Sequence, residues 1–286
     1  MVPHLIIAGA EKAGTTSLYG YLAAHPQVCP SLRKETDYFR QADATAEGYL
    51  AQFPEVRADE RVRMESSPGY LAEAETVAPR LAAALPQARL VFVLREPVDR
   101  LRSCYRFYQS RLHVPSTMDF DTFVTICLDR EAGGTRDGGL SRWHLLAATR
   151  GRYERALPAF ERVFPASQCM VLPYERLRQD APGVTRAIAR FAGLEEGFFD
   201  DFAFARENVS FRARHSGLQR VAVAVNDSLE PLWRRHPSIK RRVLSWYKHV
   251  NAERLREDAL SEAVRDRLEA YYRPTRDYLS QRFATT

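Results

Sequence analysis

The sequence predicts an α/β protein: a single domain over residues 1–286, with a P-loop-type central parallel sheet of about five strands flanked by helices and a helical C-terminal third. Three short apolar segments carry this prediction. Leu5–Ala8 and Cys169–Leu172 are buried-strand patterns beside helical patterns, and Leu90–Leu94 is a continuous β-branched run typical of a strand covered on both faces. Because strands alternate with helices, βαβ units and a parallel sheet are expected.

The remaining elements follow in chain order. A helix begins soon after the first strand, Arg61–Met64 is a second short strand, and Glu75–Leu85 has helical periodicity with a proline directly after it. Pro97 suits the first turn of a helix that extends to about Ser110. The other predicted helices are Tyr153–Phe164, Pro182–Ala192, Leu218–Trp233, Ile239–Val250 and Ser261–Phe283, the last one interrupted at Pro274.

Composition excludes several classes of protein. With 45% hydrophobic residues the chain can bury a full core, so wholesale disorder is excluded. The mean hydropathy of −0.39 and the lack of a long apolar run argue against a membrane-spanning helix. The first ten residues lack a basic leader, so we expect no signal peptide. The four cysteines are far apart without a CxxC pair, which argues against a zinc site or disulfide framework and predicts a reducing, cytoplasmic location.

Positive charge is supplied almost entirely by arginine. Of 42 basic residues only four are lysines, so each lysine is a candidate for chemistry that needs a compact point charge. The same bias is typical of a GC-rich bacterial genome, and we expect a bacterial protein of specialised metabolism. The lysines are Lys12, Lys34, Lys240 and Lys248.

The segment Gly9–Thr16 has the spacing of a phosphate-binding loop between a strand and a helix, where backbone N–H groups and a helix N-terminus bind anions. Nucleotide triphosphatases place a lysine directly after the second glycine, but this chain has Thr15 there and a lysine inside the loop, Lys12. The next long strand ends in Arg95 where a metal-binding aspartate would be expected. The sequence therefore favours a phosphate or sulfate site without a metal, the alternative being a structural turn.

Two longer motifs carry a family resemblance. Gly9–Leu18 resembles the 5′-phosphosulfate loop of sulfotransferases that use 3′-phosphoadenosine 5′-phosphosulfate (PAPS), and Leu94–Ser103 is similar to their 3′-phosphate motif. The resemblance covers residues 4–195 and is strongest to the heparan sulfate sulfotransferase branch and its bacterial relatives. Its further motifs are Lys34-Glu35, Glu65–Pro68, Gly151-x-Tyr153 and Tyr174–Leu177.

This resemblance implies a set of donor contacts. Lys12 would lie against the bridging oxygen between phosphate and sulfuryl group, where charge accumulates as the S–O bond breaks. Arg95 and Ser103 would bind the 3′-phosphate, and the ring of Tyr174 would lie near the adenine. Arg212 and Arg214 match, more weakly, a basic loop that closes over the 3′-phosphate. The residues that would donate to the 5′-phosphate are Ala13, Gly14, Thr15, Thr16 and Ser17.

Each of these residues also has an ordinary structural interpretation. Lys12 could be a solvated loop lysine, Tyr174 a core aromatic residue, and Arg95 the partner of Glu96 or Asp99 in an ion pair. The hydroxyl residues of the loop could be helix caps. Ser103 could be an idle helix serine, and Arg212 and Arg214 part of a solvated loop.

The resemblance makes Glu35 the candidate general base, since sulfuryl transfer to a hydroxyl requires that proton to leave. Lys34 beside it would position the donor or bridge the sulfuryl group. The sequence departs from the family at two places: Ser66 stands where related enzymes have a lysine or histidine, and Asp37 where some have a histidine. These departures leave Glu35 as the base by default, and the alternative is an ordinary polar loop.

The function that follows is direct transfer from PAPS, without a metal, to a hydroxyl or amine of a small-molecule or carbohydrate acceptor, releasing 3′-phosphoadenosine 5′-phosphate (PAP). We expect no nucleic-acid or membrane partner, and the sequence predicts no particular oligomeric state. The sequence leaves two alternative functions: a P-loop small-molecule kinase and a nucleic-acid-binding module. The second alternative would use the segment Arg206–Arg256, with twelve basic and four acidic residues. A catalytically inactive protein of the same fold is a further alternative.

Overall fold

The structure is a computed structural model that describes residues 2–204, 259–284 and a few positions between them (212–213, 217–218, 221–222, 225, 243, 247 and 252–253). The chain divides into two compact units. The first comprises Met1–Arg100, Arg150–Asn208 and Tyr271–Thr286, and the second comprises Leu101–Thr149 and Val209–Ala270. The one-domain organisation stays a prediction.

The first unit contains a five-stranded, fully parallel sheet with the strand order β2-β3-β1-β4-β5. This confirms the predicted fold class. The register pairs Ile6 with Glu65 on one side of β1 and Ile7 with Val91 on the other. Only β2 was not foreseen, because three residues are too few to show a periodicity. The strands are β1 (His4–Gly9), β2 (Val28–Pro30), β3 (Val62–Glu65), β4 (Arg89–Leu94) and β5 (Cys169–Pro173).

The two central strands are buried along their length. Leu5–Ala8 and Leu90–Leu94 are all 1% exposed or less, as expected where helices cover both faces of a parallel sheet. The carboxyl ends of all five strands lie at one edge of the sheet, where open α/β sheets bind ligands. The segments that leave these ends are therefore the ones to inspect for a site.

Helices follow the strands in the predicted alternation. The helix that starts at Pro97 has its predicted bounds, and the helix predicted over Glu75–Leu85 spans Ala74–Ala84, displaced by one residue. The helices are α1 (Thr15–Ala23), α2 (Ala46–Leu50), α3 (Ala74–Ala84), α4 (Pro97–Ser110), α5 (Phe120–Glu131), α6 (Arg142–Leu145), α7 (Tyr153–Glu161), α8 (Tyr174–Gln179), α9 (Ala181–Ala192) and α10 (Glu262–Phe283). Short 3-10 helices cover Tyr38–Arg40, Pro68–Glu73, Thr149–Gly151, Ala166–Gln168 and Glu196–Phe199.

The predicted interruption at Pro274 is wrong, because α10 runs through it. Proline costs one backbone hydrogen bond inside a helix, and tertiary contacts offset that loss. Tyr272 and Thr275, on either side, are both fully buried, and the hydroxyl of Thr275 donates to Glu154 over 2.8 Å.

In the second unit the described elements are mainly helical. The helix α5 begins after Asp119, whose carboxylate accepts from the N–H of Thr122 at 2.8 Å. No helix was predicted there from the sequence. A two-residue antiparallel pair joins β6 (Arg212–Ala213) to β7 (Ala252–Glu253). The predicted helices Leu218–Trp233 and Ile239–Val250 fall almost wholly outside the described residues.

Candidate active site at the carboxyl edge of the sheet

The loop between β1 and α1 is held tightly at both ends. A Cβ on Gly9 would lie 2.7 Å from Cβ of Leu71, so only glycine fits at the exit of β1. The N–H of Ala10 donates to the carbonyl of Val93 in β4 over 2.8 Å. Gly14 has φ +79°, in the left-handed region that favours glycine, and it directly precedes α1. The two glycines of the motif are therefore required by packing and by backbone conformation.

The start of α1 has the properties of an anion site. Because Gly14 is the residue at the helix N-cap, no side chain caps the helix there, and the first N–H groups of a helix have no intrahelical acceptor. Ala13 and Thr15 are buried, whereas Thr16 and Ser17 are partly exposed. The predicted 5′-phosphate residues thus occupy one continuous turn.

Lys12, in the middle of the loop, also has a left-handed backbone, with φ 67°. A non-glycine residue in this region is strained by ~1 kcal/mol or more, so its surroundings must hold it there. Its carbonyl accepts a hydrogen bond from Nη1 of Arg95 at 3.2 Å, which links the loop to the end of β4.

Arg95 joins three strand ends. Its guanidinium carbon lies 4.7 Å from the ring centroid of Tyr174, the residue that follows β5. The same ring approaches the phosphate loop, since a Cβ on Gly14 would lie 3.2 Å from its Cε2. The carbonyl of Arg95 accepts from the buried hydroxyl of Tyr153 at 2.9 Å. Four predicted donor-site residues, Lys12, Gly14, Arg95 and Tyr174, are therefore adjacent, and we call them the donor cluster.

The ion pair considered as an alternative for Arg95 is made by another residue. Glu96 accepts from Nε and Nη2 of Arg276 in α10, both at 3.0 Å. Its other oxygen accepts from the N–H of Asp99 at 2.8 Å, which caps α4. The turn that carries Arg95 is thus fixed by α10 within the first unit.

The other three predicted contacts belong to the second unit or lie outside the described residues. Ser103 lies on α4 within the second unit and is partly exposed. Arg212 contributes a backbone position to β6, and Arg214 lies outside the described residues. These three assignments stay predictions.

The predicted catalytic pair lies in the segment after β2. Nζ of Lys34 is 2.7 Å from Oε1 of Glu35, and the side chain of Glu35 is 50% exposed, so its carboxylate can be reached from solvent. The carbonyl of Lys34 accepts from the N–H of Ser66 at 2.8 Å, which attaches the segment to the end of β3. The pair therefore sits at the same edge of the sheet as the phosphate loop.

Comparison with known proteins decides the family. The sequence model of the sulfotransferase domain matches residues 2–216, well over half of the chain. The chain belongs to the sulfotransferase family. The predicted family and fold are confirmed.

Relatives of this sulfotransferase domain include heparan sulfate enzymes. It is 26% identical over 247 residues to mouse heparan sulfate glucosamine 3-O-sulfotransferase 3A1, covering 85% of this chain and 58% of that one. It is 28% identical to human heparan sulfate glucosamine 3-O-sulfotransferase 3B1, covering 73% of this chain and 51% of that one. The chain therefore spans little more than half the length of these curated relatives. The structure of a sulfotransferase from Alicyclobacillus acidocaldarius shares the fold, with a TM-score of 0.58, 24% identity and coverage of 86% of this chain and 98% of that one.

One buried acid of the sulfotransferase domain, Glu65, has a place in the site for which no role was predicted from the sequence. Its side chain is fully buried at the end of β3 and accepts hydrogen bonds from the segment that carries Glu35. Burial raises the pKa of Glu65. A glutamate that directly follows an apolar strand and precedes Ser66-Ser67-Pro68 is the signal that could have identified it.

Two further findings concern the part of the chain that the structure describes. Within residues 2–204 and the other described positions, no three metal-binding side chains come close enough to hold an ion, and the cysteines are free thiols. In the same part of the chain, none of the helices has the length and apolar character needed to cross a membrane.

Proposed function

We propose that this sulfotransferase domain transfers the sulfuryl group of PAPS to a hydroxyl or amine of a small-molecule or carbohydrate acceptor and releases PAP. The donor cluster carries the proposal. A lysine-bearing anion loop, an arginine and an aromatic ring from three strand ends are in mutual contact in a chain of this family. A nucleotide that carries two anionic groups and an adenine offers partners for all three.

The loop supports departure of the leaving group. As the acceptor attacks sulfur, the bond from sulfur to the bridging oxygen breaks, and the electron pair stays on the 5′-phosphate of PAP. A cation at Lys12 and the N–H groups at the start of α1 stabilise that developing charge more than they stabilise the ground state. Arg95 offers a planar fork that suits the oxygens of the 3′-phosphate.

Glu35 is the proposed base. The acceptor proton moves to its carboxylate while the new S–O or S–N bond forms, so atoms and charge balance without a covalent enzyme intermediate. The ammonium of Lys34, 2.7 Å away, orients the carboxylate and adds positive charge to the segment.

Calorimetry with PAP tests the donor assignment without an identified acceptor. The folded protein should bind PAP, and Lys12→Ala should weaken this binding. Labelled PAPS with candidate carbohydrate, phenol and amine acceptors then identifies the transferred product, and Glu35→Gln should lose that transfer while it keeps PAP binding. A folded wild-type protein that takes up neither PAP nor PAPS contradicts the proposal, and magnesium-dependent ATP turnover in its place favours the kinase alternative.

A further inference from the structure

Glu65 is a completely buried carboxyl group with hydrogen-bond donors from three parts of the chain around it. Its Oε2 accepts from the N–H of Thr36 at 3.3 Å, from the hydroxyl of Thr36 at 2.7 Å and from the hydroxyl of Ser67 at 2.5 Å. Its Oε1 accepts from the hydroxyl of Tyr49 at 3.3 Å. Burying a carboxyl group is costly unless it is well satisfied, and an apolar residue at a strand end would avoid that cost. The role of Glu65 is therefore best explained by the residues that its carboxyl group binds.

These residues anchor the segment Lys34–Asp37. Thr36 lies between the proposed base and Asp37, and it contacts Glu65 through both backbone and side chain. Ser67, which donates to Glu65, accepts in turn from the N–H of Asp37 at 3.0 Å. Asp37 has φ 49°, in the left-handed region, so its backbone needs such support.

The hydroxyl of Thr36 extends this network to the next turn. Because its proton goes to Glu65, its oxygen accepts from the hydroxyl of Tyr70 at 3.1 Å and from the N–H of Tyr38 at 3.3 Å. Tyr70 accepts in turn from the N–H of Phe39 at 3.3 Å. The hydroxyl of Thr36 thus links the buried carboxyl to Tyr38 directly and to Phe39 through Tyr70.

We propose that Glu65 is a positioning residue of this sulfotransferase: acting through Thr36 and Ser67, it fixes the Lys34–Asp37 segment so that Glu35 meets the acceptor. The inference rests on the proposed function for the role of Glu35. Glu65 is fully buried and acts through its neighbours, and the proposal assigns the geometry of the segment to hydrogen bonds rather than to packing.

The first experiment compares two substitutions of nearly equal size. Thr36→Val removes the hydroxyl and keeps the shape, whereas Thr36→Ser keeps the hydroxyl. Thr185→Val is the control, because Thr185 is also fully buried in the first unit, in α9, and its hydroxyl donates to the carbonyl of Ala181 at 2.7 Å. Three quantities are measured: amide exchange of the peptide that contains Lys34–Asp37, the Kd for PAP, and release of labelled sulfate from PAPS with water as the acceptor.

In Thr36→Val we expect amide exchange at least fivefold faster in this peptide, a PAP Kd within twofold of wild type and sulfate release about tenfold slower, a loss of ~1.4 kcal/mol in transition-state stabilisation. Thr36→Ser should stay within twofold of wild type in all three, and Thr185→Val should leave exchange of the segment unchanged. Equal exchange in the valine and serine variants overturns the inference, as does a loss of sulfate release that Thr36→Ser shares. Wild-type protein that does not bind PAP contradicts the proposed function instead.

A second pair addresses Glu65 itself. Glu65→Gln keeps one oxygen for Thr36 and Ser67 and can donate to Tyr49, so we expect exchange and sulfate release within threefold of wild type. Glu65→Leu offers no acceptor and should reproduce the Thr36→Val result. A folded Glu65→Leu variant with wild-type exchange in the segment overturns the inference.

Discussion

At the scale of single residues, Lys12 is the side chain on which the proposed chemistry depends most. Its backbone is held in a left-handed conformation and its carbonyl is bound by Arg95, which sets where the side chain leaves the loop. Removing one preorganised donor to developing charge costs about 10²-fold in kcat or more. We therefore expect Lys12→Met to lower kcat with PAPS by about 10²-fold.

The control for this prediction is Arg162→Met, which also removes one positive charge. Arg162 pairs with Glu75 at 2.7 Å and its side chain is 59% exposed, so the variant should keep wild-type turnover. Equal kcat for Lys12→Met and wild type would show that the lysine has no role at the leaving oxygen.

His4 makes a separate prediction about pH. It is buried in β1 near the rings of Tyr49 and Phe53, and burial, with a smaller contribution from Arg63, lowers its pKa to about 4. Among the described residues neither ring nitrogen has a hydrogen-bond partner. The folded state therefore favours the neutral ring, and its stabilisation is complete above pH ~6.5 and is lost as pH falls toward 4.

We expect His4 to account for a fall of about 2 kcal/mol in the free energy of unfolding between pH 7 and pH 5. Denaturant unfolding of wild type and His4→Phe at both pH values measures it. The phenylalanine variant should lose that part of the pH dependence, and an identical dependence in both proteins contradicts the assignment.

At the scale of elements, α10 supports the donor cluster from outside it. Arg276 binds the carboxylate of Glu96, which caps α4 beside Arg95. A partly exposed ion pair is worth up to ~1 kcal/mol, so Arg276→Gln should raise the Kd for PAP about three- to fivefold. Arg282→Gln is the matched control, since Arg282 lies on the same helix and binds Glu161 instead. A similar loss of affinity in both variants would indicate a general effect of the helix.

The elements that sequence analysis found are those with a long periodicity or a clear boundary. The run at Leu90–Leu94 and the proline that starts α4 were sufficient for β4 and α4. β2 has three residues, and α10 continues through Pro274 because tertiary contacts hold both of its halves. A local sequence pattern shows neither the sheet pairing of a very short strand nor the tertiary contacts that let a helix continue through a proline.

The same limit applies to the candidate site. The phosphate loop and Arg95 were identified because their residues are close in sequence or lie at a strand end. Glu65 joins segments about thirty residues apart, as in its contact with Thr36, and this pairing exists only once β2 and β3 are adjacent. The donor-binding residues could thus be predicted from sequence motifs, whereas the hydrogen bonds that support the proposed base could be seen only in the folded structure.

At the scale of the whole molecule, binding of the nucleotide should raise the free energy of unfolding. A ligand that binds only the folded state stabilises it by about 2.7 kcal/mol at 100 times its Kd, and the formal charge of +6 favours capture of an anion. PAP and adenosine 5′-phosphate (AMP) differ by the 3′-phosphate alone. If Arg95 binds that phosphate, the charge-assisted hydrogen bonds are worth ~1.5–3 kcal/mol, so PAP should bind at least tenfold more tightly than AMP.

Thermal unfolding with each nucleotide measures this difference. We expect a larger rise in Tm with PAP than with AMP at equal concentration. Arg95→Gln should reduce this difference, because it loses the contact with the 3′-phosphate and so weakens the binding of PAP more than that of AMP. Arg57→Gln is the control, because the exposed side chain of Arg57 pairs with the buried carboxylate of Glu60 before β3, and it should keep the wild-type difference. Equal stabilisation of wild type by PAP and AMP would remove the 3′-phosphate from the contacts of Arg95. The cluster would then still bind a 5′-phosphate, but it would no longer distinguish this donor from other adenine nucleotides.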